Sequence, residues 1–171
     1  MTQAEVTAYV QSHLRTEGIN VVLSGGAAVA IYTNNKYVSA DVDLVNVNFA
    51  DRKKIIAAME KIGFRERNRY FVHTGTKHIV EFPPGTLSIG EEPIKDIQEL
   101  KLSTGILRVI SATDCVKDRL AAFYFWDDQQ SLYQAIMVAK SVQVRLSEIK
   151  RWSASIMNID KFKLFLAELA K

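Results

Sequence analysis

The chain has 171 residues, 48% of them hydrophobic and 24% charged, with a formal net charge of +3. That length supports one domain with a real core, and the mild charge argues against a bulk nucleic-acid binder, which shows a more basic balance or a basic cluster. A single cysteine, Cys115, leaves no internal disulfide, and with only three scattered histidines (His13, His73, His78) no zinc pattern is present.

The first residues, MTQAEVTAYVQSHLRTEG, are polar and amphipathic rather than a leader, and no run reaches ~18 apolar residues. A reducing, cytoplasmic setting with no membrane contact is expected. Thr2 with Glu5 forms a capping box, Val6, Tyr9, Val10 and Leu14 follow at helical spacing, and Gly18 is a natural stop. INVVL (19–23) reads as a short buried strand and GAAVAIY (26–32) as a short helix. VDLV (42–45) is a second strand, beginning near Ser39, and Phe49 to Ile62 a helix closed by Gly63. FRERNRYFVHT (64–74) is one strand or a hairpin, KHIVEF (77–82) a strand ended by Pro83-Pro84-Gly85, and IQELKL with ILRVI a hairpin.

After Ile110 the pattern turns helical. Ser111 and Asp114 open one helix, Asp127 or Asp128 caps the next, and two more follow near 146–156 and 159–170. The expected fold class is α+β: a mixed β-sheet core with flanking helices over 1–110, then a C-terminal helical bundle over 111–171 packed on it. Of the aromatic run Phe123, Tyr124, Phe125 and Trp126, all four cannot face one core, so one or two should be exposed.

Two features carry chemistry. Ser24-Gly25-Gly26 ends a strand and starts a helix, which leaves unpaired N–H groups and about half a positive charge where an anion can sit. Glycine lets the backbone approach a phosphate closely, and the serine adds a hydroxyl donor. Asp41 and Asp43 then lie one residue apart in a strand, on one face and within ~7 Å. A strand is a poor place for two like charges, and a hard cation such as Mg²⁺ or Mn²⁺ resolves the conflict. A two-metal phosphoryl-transfer site wants a further carboxylate. Asp51, Glu81, Glu91, Glu92 and Asp96 are the candidates, and Glu81 stands out because it interrupts an apolar strand.

The segment LSGGAAVAIY…SADVDLV resembles the signature of the nucleotidyltransferase superfamily related to DNA polymerase beta. The gap from Gly26 to Asp41 is slightly longer than is common there. DCVKDRLAAFYFWDDQQSLYQA resembles the region after the core in the toxin-like branch of bacterial abortive-infection and toxin–antitoxin systems. The resemblance implies Mg²⁺-dependent transfer of an NMP from an NTP to a hydroxyl on RNA, a protein or a small molecule, with an antitoxin protein as a further partner. It implies that Ser24, Gly25 and Gly26 hold the triphosphate and that Asp41, Asp43 and Glu81 bind the metal, Glu81 also helping to deprotonate the acceptor. Lys117 would neutralise triphosphate charge or position the acceptor. On residue type alone Lys117 reads equally well as a solvated lysine of an amphipathic helix. A catalytically inactive binding module of the same fold is the competing class.

Overall fold

In the computed structural model, which describes residues 1–171, the chain alternates helix and strand before ending in helices. The order is α1 (Gln3–Thr16), β1 (Val21–Ser24), α2 (Gly25–Tyr32), β2 (Asp41–Asn46), α3 (Arg52–Lys61), β3 (Arg65–Arg67), β4 (Tyr70–His73) and β5 (Thr76–Glu81). Then come β6 (Ser88–Ile89), β7 (Glu92–Pro93), β8 (Ile97–Leu102), β9 (Gly105–Ile110), α4 (Ala112–Trp126), α5 (Gln129–Ser141), α6 (Leu146–Ser155) and α7 (Ile159–Leu169).

Seven strands form one mixed sheet in the order β3-β4-β5-β2-β1-β9-β8, and β6 pairs only with β7. β1 runs antiparallel to β2, whereas β2 and β5 are parallel, as are β1 and β9. Strand alternation divides the residues between two faces. Val42, Leu44, Val80 and Phe71 are fully buried on one face. There Phe71 meets Phe82 edge-on, and Arg52 of α3 lies over the Phe71 ring while pairing with Glu66. α1 is pinned to β9 by Gln11, whose side chain bonds both the N–H and the carbonyl of Arg108. The opposite face carries Ser24, Asp43 and Glu81.

Local chemistry explains most element ends. Thr2 and Glu5 make the capping box of α1, and Ser111 caps α4 through the Asp114 N–H. Asp128, not Asp127, caps α5, and Asp127 ends α4 in a left-handed conformation at φ 53°. α3 begins at Arg52 rather than Phe49. Phe49 sits at φ 54° and is exposed, so it belongs to the turn before the helix, which Asp51 opens. β2 starts at Asp41 rather than Ser39, and the 64–74 stretch is a hairpin, β3–β4, turning at Asn68-Arg69. The two-residue strands β6 and β7 have no apolar period long enough to be read.

One apolar cluster runs through sheet and C-terminal helices alike, including Val22, Val29, Leu120, Phe123, Trp152 and Phe165. Phe123 and Tyr124 are buried, and Phe125 and Trp126 are exposed. Tyr124 stacks on Trp152 and bonds Ser153. Lys161 donates to the Phe123 and Tyr124 carbonyls, closing the α4 end onto α7. No helix is long and apolar enough to cross a membrane.

Candidate active site

Register lines the polar residues up. Ser24 of β1 pairs with Asp43 of β2, and Asp43 pairs with Glu81 of β5. Tyr70 of β4 pairs with Glu81 in turn. Directly paired residues point to the same face, so Ser24, Asp43, Glu81 and Tyr70 form one row across four strands. Asp41 lies on that face one step along, opposite Ile79.

At the head of the row, α2 begins without a side-chain cap. Ser24 is its N-cap residue, but its hydroxyl bonds no backbone N–H of the first turn. The first N–H groups of the helix therefore keep their donor capacity and their share of the helix dipole. Gly25 holds φ 67°, and a Cβ there would run into the Asp43 Oδ2. Glycine is needed both for the backbone conformation and for the closeness of this carboxylate. A Cβ on Gly26 would crowd the Ser39 hydroxyl at 2.9 Å, so the loop before β2 also folds tightly over the helix start.

The electrostatics are those of an anionic cluster that cations only partly compensate. Burial, followed by the charges of Glu81 and Asp41, pushes the Asp43 carboxyl up to about 6, with Arg119 pulling the other way. Glu81 has one ion-pair partner, Arg69, at 3.8 Å. The carboxylates are spread along the row rather than already gathered into a three-ligand metal cage. Hard oxygen donors beside one another, one of them pushed towards its protonated form by burial and by its anionic neighbours, suit a small divalent cation.

Lys117 does not join this row. Its side chain is only 6% exposed, and its ammonium bonds Glu148 of α6 at 2.9 Å, with Asp114 at 3.7 Å. Glu148 also pairs with Arg151, which reaches Glu92 of β7. The cation whose charge acts on Asp43 is Arg119, two residues on and about 200° around the helix. Arg119 is held by Asp118 and by Gln134 of α5. The sequence carried a signal for it in the adjacent pair Asp118-Arg119, but helical spacing alone does not say which face of α4 meets the sheet.

No protein-family model matches the sequence, and no curated protein does. Solved structures match in three dimensions. A crystal structure of ANT(2″)-Ia in complex with adenylyl-2″-tobramycin superposes with a TM-score of 0.56 at 14% identity, covering 99% of this chain and 98% of that one. The fold is nucleotidyltransferase-like. A solution structure of the antibiotic-resistance factor ANT(2″)-Ia gives a TM-score of 0.52 at 14% identity, over 95% of this chain and 91% of that one. The lincomycin-bound lincosamide antibiotic adenylyltransferase LnuA gives 0.55 at 15% identity, over 83% of this chain and 99% of that one. The likeness spans the helical third as well as the sheet in the ANT(2″)-Ia crystal structure, so the C-terminal helices belong to the shared architecture.

Proposed function

We propose that this protein is a metal-dependent nucleotidyltransferase that moves a nucleoside monophosphate from an NTP to an acceptor hydroxyl. The observation that carries the reading is the row Ser24–Asp43–Glu81, set against the uncapped start of α2. The structural likeness to two antibiotic adenylyltransferases supports it.

The backbone of Ser24, Gly25 and Gly26 would hold the triphosphate through N–H donors and the helix dipole. Asp41, Asp43 and Glu81 would hold Mg²⁺, which when bound supplies positive charge against the triphosphate. Glu81, at the acceptor end of the row, takes the proton from the attacking hydroxyl. The new O–P bond forms at the α-phosphorus, the α–β bridging P–O bond breaks, and pyrophosphate leaves with its electron pair. Arg119, whose charge acts on Asp43, would counter charge on the leaving phosphates. Lys117 instead ties α4 to α6.

A part in a toxin–antitoxin pair is the finer form of this reading. Induced expression should then arrest growth, and Asp43→Ala should relieve the arrest. One observation favours the competing class, an inactive binding module: Glu81 already has Arg69 as a partner. Incubation with α-labelled NTPs, Mg²⁺ and a panel of RNA, protein, tobramycin and lincomycin decides between them. Label transfer in the wild type and none in Asp43→Ala supports the enzyme, and no transfer to any acceptor supports the module.

A further inference from the structure

Beyond Glu81 the row does not stop. Tyr70 is followed on β3 by its pairing partner Arg67, and Arg65 lies two residues from Arg67 on the same strand. Both point to the carboxylate-bearing face, about 6.8 Å apart by strand rise. Arg69, in the turn of the same hairpin, leans to Glu81. Arg65 and Arg67 are exposed, and no ion pair in the molecule includes either. Neither side chain makes a hydrogen bond, nor does the Tyr70 hydroxyl, although Tyr70 is half-buried.

An edge strand often carries charge simply to block pairing with another sheet. That purpose is indifferent to sign and face. Here the signs are sorted by face. The one acid of β3, Glu66, points the other way and is consumed by Arg52. The cleft face keeps arginines alone, continuous with a tyrosine and the proposed general base.

The geometry points to a track for a single-stranded nucleic acid on the cleft face of β3 and β4, delivering a terminal hydroxyl to Glu81. This rests on the nucleotidyltransferase reading for its chemistry. Arg65 and Arg67 take backbone phosphates, and Tyr70 offers a ring for the terminal base to stack on. Arg69 steadies the carboxylate that receives the hydroxyl proton. In the transfer the terminal oxygen bonds the α-phosphorus, its proton goes to Glu81, and pyrophosphate departs with the electron pair of the broken P–O bond.

The test measures binding apart from turnover. Fluorescein-labelled 20-nucleotide single strands of RNA and of DNA with one sequence are titrated, without NTP, into wild type, Arg65→Ala/Arg67→Ala and Tyr70→Ala. Mg²⁺·ATP thermal shifts on the same proteins report the nucleotide site and the fold. The wild type should bind at least one strand. The double variant should bind it at least tenfold more weakly, with a salt dependence shallower by about 1.4 in log–log slope for two lost phosphate contacts. Tyr70→Ala should weaken binding with the slope unchanged. All three proteins should keep the same Mg²⁺·ATP shift. An RNA preference over DNA would assign recognition of the 2′-hydroxyl. Failure of wild type to bind either strand, or equal binding by the double variant, overturns the track whatever the ATP shift shows. Strand binding with no ATP shift overturns the transferase reading and leaves the track standing.

Discussion

Two charged clusters flank α4, and they are built on opposite principles. In the C-terminal helices Asp114, Lys117, Glu148, Arg151 and Glu92 alternate in sign, and each carboxylate or ammonium has a partner. On the sheet, Asp41, Asp43 and Glu81 share one sign and one face, only Glu81 has an ion-pair partner, and Asp43 is driven towards its protonated form. Charge that is paired within the chain holds elements together. Like charge concentrated on one face with little pairing costs stability, and the proposed metal would relieve that cost.

The sharpest way to break this contrast is to neutralise one member of each cluster. Asp43→Asn should cut nucleotidyl transfer by at least about a thousandfold, because several kcal/mol of charge stabilisation go with one metal ligand. The same variant should melt at or above the wild-type temperature. Lys117→Met should do the reverse. Removing the buried ammonium leaves Asp114 without its cation partner and Glu148 with Arg151 alone, at a cost of about 2 kcal/mol. Denaturant titration should show that loss, while the nucleotide affinity of the folded fraction stays within about twofold of wild type. A Lys117→Met protein as stable as wild type, yet blind to nucleotide, would return Lys117 to the proposed nucleotide site.

The pH dependence sharpens the contrast further. Folded Asp43 keeps its proton up to about 6, whereas in the unfolded chain it releases it at the ordinary 3.8. The folded protein thus binds more protons in that window, and the Asp43 contribution turns unfavourable as pH rises from about 4 to about 6. Glu148 behaves oppositely. The Arg151 hydrogen bond, then that of Lys117, holds its carboxyl down at about 2. Its contribution is complete above the ordinary 4.5 and disappears as pH falls towards 2. Urea midpoints at pH 4, 5, 6 and 7 should show Asp43→Asn gaining on wild type with each step up. A gap that does not change with pH contradicts the assignment. The smallest effect belongs to neither cluster. Trp126 is 82% exposed, and Trp126→Ala should shift stability by less than about 0.5 kcal/mol.

The sequence carried the head of the site more clearly than its far end. Ser24-Gly25-Gly26 is a local signal, since the strand, the left-handed glycine and the helix start are neighbours in the chain. The shared face of Asp41 and Asp43 follows from the two-residue period of a strand. That Glu81 sits opposite Asp43 is not local. It depends on β5 pairing in parallel with β2 across an intervening helix and hairpin, which alternation does not encode. Lys117 was harder still. Apolar spacing on α4 marks which residues share a face, but the partner that claims Lys117 is Glu148, on a different helix. Arg119 was passed over for the same reason, because its place beside Asp43 is fixed by how α4 packs on α2.

Isothermal titration with Mg²⁺ and a non-hydrolysable NTP, on wild type and Asp43→Asn at pH 7.5, bears most directly on whether the carboxylates Asp41, Asp43 and Glu81 are a metal–nucleotide site. Wild type should bind only when metal is present, and the variant should lose at least about a hundredfold in affinity, close to 2.7 kcal/mol, while melting no lower than wild type. Equal affinities in the two proteins, or nucleotide binding indifferent to the metal, would contradict it.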